Sequence, residues 1–243
     1  MPLDDTEVER ALVVFAHPDD VDFGCAGTVA TMTEAGVEVH YAVVTNGDSG
    51  GFDRDVAREE IPRIRQAEQR AAAKAVGVEH DHVHFLDRVD GHVVADLDLR
   101  RDISRVIRQV RPQRVLTQSP VFNFRMPPAS HPDHRATGQA CLDAVYPDAR
   151  NPFAHPELLR DEGLEDWIVR EVWVMAHQTK DHYVDVTDVF DRKMDALRSH
   201  ESQMQESPEK LEQMLREWLG NWAREGGLPE GRLAEAFTVI TYQ

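Results

Sequence analysis

Five short apolar runs, 11–16 (ALVVFA), 38–45 (EVHYAVVT), 82–86 (HVHFL), 114–119 (RVLTQS) and 171–176 (EVWVMA), recur along the chain with longer amphipathic stretches between them. Runs this short, rich in Val and Leu and with little polar alternation, expect burial on both faces, as strands of a parallel sheet do. The stretches between them predict helices at about 22–36, 57–76, 97–110 and 133–146, with Gly36 and Gly77 as stops for the first two. Strand, helix, strand in that rhythm requires right-handed crossovers. The fold class is therefore α/β, a doubly wound, mostly parallel Rossmann-like sheet with helices on both faces. Ligands of such sheets sit outside the carboxyl ends of the strands.

A chain of 243 residues is expected to form a single domain, 1–243. Pro, Gly and charge scattered through 147–170 predict a surface excursion near the site. The segment 207–243 predicts a helix and a strand packed on the domain. Ser207 would cap the helix, and Leu211, Met214, Leu215, Trp218, Leu219 and Trp222 would line one side of it. The same helix is a candidate subunit contact in a homo-oligomer. A formal charge of −17 argues against a nucleic-acid partner. No apolar run approaches the ~18 residues of a membrane span. The opening MPLDDTEVER lacks the apolar stretch of a secretory signal, and Cys25 and Cys141 make no CxxC pair, so the expected compartment is the cytoplasm.

The first run ends in His17, Pro18, Asp19 and Asp20. Ionisable groups at the mouth of a buried strand are costly unless paired or bound to a metal. His17 and Asp20, three apart in a turn opening into a helix, can reach one ion. Asp19 points about 100° away and stays free to accept a proton. A second cluster, SHPDHRATG, follows the fourth run, with His131 and His134 again three apart. The mouths of strands one and four are neighbours at the switch point of a doubly wound sheet, so the two clusters would face each other. Four ligands would make a closed structural site, and three with a water an open catalytic one. A carboxylate left free beside bound water favours the open version. His40, His80, His82, His84 and His92 have no motif around them and are expected at the surface or at strand ends.

AHPDD after the first strand with HPDH more than a hundred residues later resembles the PIG-L/LmbE family of zinc-dependent N-deacetylases. Supporting stretches are RIRQAEQRAAAKAVGV, with Arg65 and Glu68 at R-x-x-E spacing, and KMDALRSHESQ, with its H-x-S-Q ending. The resemblance implies zinc held by His17, Asp20 and His134, with Asp19 as general base. It implies that His131 protonates the leaving amine or steadies the tetrahedral intermediate, and that Asp133 hydrogen-bonds a histidine of its own motif. Arg65 would contact substrate with Glu68 as its partner, and Asp48 would lie where a sugar hydroxyl binds. The substrate implied is a small N-acylated, most simply N-acetylated, amino sugar or conjugate.

Two positions depart from the family pattern. Val21 replaces a glutamate that many members carry after the paired aspartates. Ala129 stands where members acting on thiol-cofactor precursors place a tyrosine, which leaves zinc, His131, Asn123 or Arg125 to stabilise an oxyanion. A His₂Asp set also accepts Fe²⁺. The competing readings are a metal-dependent phosphoesterase and a non-catalytic nucleotide-binding module. The latter needs a glycine-rich loop after strand one, where this chain has DFGCAG.

Overall fold

A computed structural model describes residues 2–53 and 55–242. Among these, seven strands form one sheet: β1 (Arg10–Phe15), β2 (Glu38–Thr45), β3 (Val83–Arg88), β4 (Arg114–Gln118), β5 (Glu171–Met175), β6 (His182–Asp185) and β7 (Ala234–Thr241). Their spatial order is β3-β2-β1-β4-β5-β7-β6. The first five pair in parallel, and β7 runs antiparallel between β5 and β6. The five expected strands lie within two residues of their predicted bounds. β6, a half-buried HYVD, carries no apolar run to announce it.

The helices are α1 (Asp20–Gly24), α2 (Ala26–Glu34), α3 (Ile61–Ala75), α4 (Leu97–Val110), α5 (Pro132–Asp143), α6 (Pro156–Arg160), α7 (Phe190–Arg198) and α8 (Pro208–Glu225). Along β1, Ala11, Val13 and Phe15 enter a core shared with α2, α3, α7 and α8. Leu12 and Val14 enter the opposite core, shared with α4 and α5. That two-sided burial is why β1 is apolar at every position after Arg10. On α8, Leu211, Leu215, Leu219 and Trp222 are buried, Trp218 is half-buried and Met214 is 49% exposed.

The single helix expected at 22–36 is two helices, broken at Cys25. A buried ion pair supports the break. Lys193 on α7 donates to the carbonyls of Asp22 and Phe23 at 2.8 Å and to Glu235 Oε1 at 2.7 Å. Glu235 on β7 accepts from the amides of Gly27 and Thr28 at 3.0 and 2.7 Å. One helix's free carbonyls are thus met by a cation, and the next helix's free amides by an anion.

The segment 147–170 lies on α4, held by Arg100 and Arg108 to Asp148 and neighbouring carbonyls and by Trp167 to Pro112 O. Among the described residues no helix is long and apolar enough to cross a membrane.

Candidate active site

β1 and β4 are adjacent and parallel, so the turn after β1 and the loop leading from β4 into α5 share the carboxyl edge of the sheet. α5 can sit close there because position 138 is glycine. A Cβ at Gly138 would come within 2.2 Å of Gln118 O, at the end of β4. The Gln118 side chain in turn accepts the amide of Ala16 at 2.9 Å, tying the ends of β1 and β4 together.

Three groups converge at this edge. His17 Nδ1 lies 3.3 Å from His134 Nε2 and 3.2 Å from Asp20 Oδ2, and His134 Nε2 lies 3.0 Å from Asp20 Oδ1. A tetrahedral shell with bonds of 2.0–2.1 Å has edges of about 3.3 Å, so the separation of the two imidazole nitrogens matches one edge of a zinc site, with a different Asp20 oxygen beside each of them. The far nitrogens of both histidines are also engaged. His17 Nε2 meets Asp133 Oδ2 at 3.1 Å and Asp90 Oδ1 at 3.2 Å, and His134 Nδ1 lies 3.2 Å from Ala129 O. Outer partners of this kind fix the tautomer of a ligating imidazole. The triangle fits a divalent cation.

Electrostatics agree. Burial opposes charging His17, yet Asp20, Asp133 and Asp90 carry its pKa up to about 12. Burial opposes charging His134 as well, and Asp20 again outweighs it.

Asp19 stands beside the triangle and outside it. Its backbone is left-handed, φ 95°, unusual for a residue other than glycine. Its amide donates to Gln69 Oε1 at 2.8 Å, and its Oδ2 accepts from Arg65 at 3.3 Å. Burial and the neighbouring Asp20 raise its pKa to about 6, against the pull of Arg65. His131 is more exposed, with its ring 5.0 Å from that of His17. Its Nδ1 accepts the Asp133 amide at 3.2 Å, so the neutral ring carries its proton on Nε2. Burial and the charges of His17 and His134 lower its pKa.

Several predicted contacts fall elsewhere. Asp133 does not bond a histidine of its own motif through its carboxylate. The first turn of α5 aims it inward, where it meets His17 and the amides of Gly91 and Val93 at 2.6 and 3.2 Å. Arg65 is 2% exposed and donates to Pro18 O and Asp19 Oδ2. Glu68 does not pair with Arg65. It accepts from the amide and hydroxyl of Ser202 at 2.7 and 2.8 Å, which is what links the R-x-x-E and H-x-S-Q stretches. Asn123 is buried and spends its amide on Ala176 O and the Arg125 backbone, so it shapes the loop rather than facing an oxyanion. Arg125 is exposed on that loop. Asp48 accepts the Asp90 amide at 2.9 Å and lines a hollow of about 510 Å³ with Gly50, Phe52 and Arg58.

Asp22, Gln69 and Asp90 were missed. Gln69 Nε2 donates to Asp22 Oδ2, which also meets His200 at 2.7 Å, so a buried chain runs from Asp19 to the H-x-S-Q histidine. The available signal was position: Asp22 lies two residues past the first motif, and Asp90 follows the third apolar run at the carboxyl edge. A second cavity, of about 270 Å³, opens on Asp20 and His134 and is walled by Phe23, Met126, Met175, Trp218 and Trp222.

Residues 12–145 match the family model described as PIG-L, GlcNAc-PI de-N-acetylase. The chain belongs to the PIG-L family. It is 32% identical over 200 residues to the diacetylchitobiose deacetylase of Thermococcus kodakarensis, covering 82% of this chain and 72% of that protein. It is also 32% identical over 206 residues to a probable N-acetyl-α-D-glucosaminyl L-malate deacetylase 2 of Bacillus cereus, covering 80% and 83%. The crystal structure of N,N'-diacetylchitobiose deacetylase from Pyrococcus horikoshii, bound to its inhibitor MPG, superposes with a TM-score of 0.86. It covers 97% of this PIG-L chain and 85% of its own, at 27% identity. The deacetylases named among these relatives act on N-acetylglucosamine-type sugars.

Proposed function

We propose that this PIG-L protein is a metal-dependent hydrolase that removes an N-acetyl group from an N-acetylglucosamine-type sugar or conjugate. The observation that carries the reading is the triangle of His17, Asp20 and His134 with a free Asp19 at its side. Those three residues hold the cation, Zn²⁺ by ligand type. A bound cation supplies Lewis acidity, lowering the pKa of a water and polarising the amide carbonyl. Asp19 takes the proton of the attacking water and carries it to the departing amine nitrogen. Arg65 and Gln69 hold Asp19 in its strained backbone position, a geometry the loop alone would relax. His131 directs Nε2–H at the oxygen that gains charge, the task left open by Ala129. Asp133 and Asp90 orient His17, and Asp48 orients Asp90. The apolar walls of Trp218 and Trp222 flank the scissile amide.

The test is amine release from a panel of N-acetylglucosamine conjugates, before and after chelation and readdition of Zn²⁺. Chelator-sensitive release supports the reading. No release from any conjugate with zinc restored refutes it.

A phosphoesterase draws support from one observation, a second group of His17, Asp90 and Asp133 that could hold another ion. Asp133 already accepts two amides there, which favours the orienting role. Chelator-sensitive cleavage of phosphomonoesters would reverse that preference.

A further inference from the structure

Four side chains at the amino edge of the sheet form a cluster that this chemistry does not use. Glu38 and His40 begin β2, and His82 and His84 flank the start of β3. Residues two apart on a strand share a face. The parallel register that sets Tyr41 beside Val83 and Ala42 beside His84 brings all four to the same one. Glu38 Oε1 lies 2.8 Å from His40 Nε2, and His84 Nε2 lies 3.3 Å from His40 Nδ1. The His82 ring stacks on His40 with centroids 3.8 Å apart. Glu38, His40 and His82 each offer a ligand atom within 4.8 Å of the other two.

We infer that Glu38, His40 and His82 form a second cation site, independent of the catalytic reading, for a zinc-class divalent ion. Two imidazoles and a carboxylate without thiolate suit Zn²⁺, Ni²⁺ or Cu²⁺ better than Mg²⁺ or Ca²⁺. Against tetrahedral edges of about 3.3 Å, the set closes on an ion with shifts of about 1 Å, within reach of side-chain rotation. With a cation on His40 Nε2, the ring proton sits on Nδ1 and is accepted by His84 Nε2, the outer partner a ligating histidine needs. Arg10 and Arg111 line the same hollow, but both are otherwise engaged. Arg10 pairs with Glu9 at 3.6 Å and donates to Arg111 O, while the Arg111 guanidinium lies 5.9 Å from the Trp167 ring. The ion would clamp β2 to β3, the edge pair of the sheet. It would lie about 20 Å from the catalytic cluster, given a rise of about 3.3 Å per strand residue.

The experiment counts zinc in tag-free protein equilibrated with zinc sulfate and desalted, with deacetylation assayed in parallel. Wild type should retain about two ions per chain, and His40→Ala/His82→Ala about one with unchanged turnover. Glu38→Gln, at an exposed position where folding is not at risk, should weaken the second ion by at least about tenfold. Wild type holding a single ion that His134→Ala loses would overturn this inference and leave the catalytic reading standing. An undiminished count in His40→Ala/His82→Ala would overturn it as well.

Discussion

Replacing Asp19 with Asn should push stability and activity in opposite directions. In the metal-free protein the Asp19 carboxyl is raised from 3.8 to about 6, by burial first and then by the Asp20 carboxylate. A raised folded-state pKa means that the native state favours the protonated form, so ionisation destabilises it. That penalty is absent below pH 3.8, grows between 3.8 and about 6, and is full at pH 7, where it amounts to about 3 kcal/mol. Asn has the shape of the neutral carboxyl and tolerates left-handed backbone, so the 95° φ does not penalise it. Chelator-treated Asp19→Asn should therefore melt higher than wild type at pH 7 by about 6–12 °C, at about 2–4 °C per kcal/mol for a chain of this size. The stability advantage of Asp19→Asn over wild type should open between about pH 4 and 6. Asn cannot accept the proton of the attacking water, so turnover should fall by about 10²–10⁴-fold with zinc retained. Calorimetry across pH 4–8 and steady-state deacetylation on the same preparations test both halves. A lower melting temperature together with near-wild-type turnover would make Asp19 a structural residue and refute the reasoning.

Lys193→Met leaves Glu235 charged and buried, and should cost about 3–5 kcal/mol in denaturant melts. Adding Glu235→Gln should recover part of that loss, and strict additivity would count against the pair. Chelated protein should weaken by about 1.4 kcal/mol per pH unit from pH 7 to 9, as His17, held protonated up to about 12 in the fold, is matched against an unfolded histidine near 6.5. The zinc-loaded protein, whose His17 has no such proton to lose, should lack this slope. Gly138→Ala must move either α5 or the end of β4, at about 1–3 kcal/mol, and should weaken zinc retention by displacing His134. Unaltered zinc affinity would show that the loop absorbs the added methyl.

Much of the framework is legible from local pattern. β1, β2, β4 and β5 are buried on both faces and so advertise themselves as continuous apolar runs. β6 is half-buried throughout and has no such signal. The break at Cys25 is invisible for a different reason. Local sequence favours one helix across 22–36, and Lys193 and Glu235, more than 160 residues away, terminate it.

The candidate site divides along the same line. His17, Asp19, Asp20, His131 and His134 sit in two short motifs at strand ends, where topology alone brings them to one edge. The sequence by itself therefore determined the five parallel strands, their reactive edge and the two motifs brought to it. Tertiary structure decided which groups support them: the Asp133 carboxylate on His17 while its amide serves His131, Arg65 beneath Asp19, Glu68 on Ser202, Asp48 on Asp90. Each of the four carboxylate partnerships spans 40 or more residues. The physical reason is range. Hydrophobic period and turn chemistry act over a few neighbours, whereas a buried polar group takes whichever partner the packed chain delivers within hydrogen-bond reach.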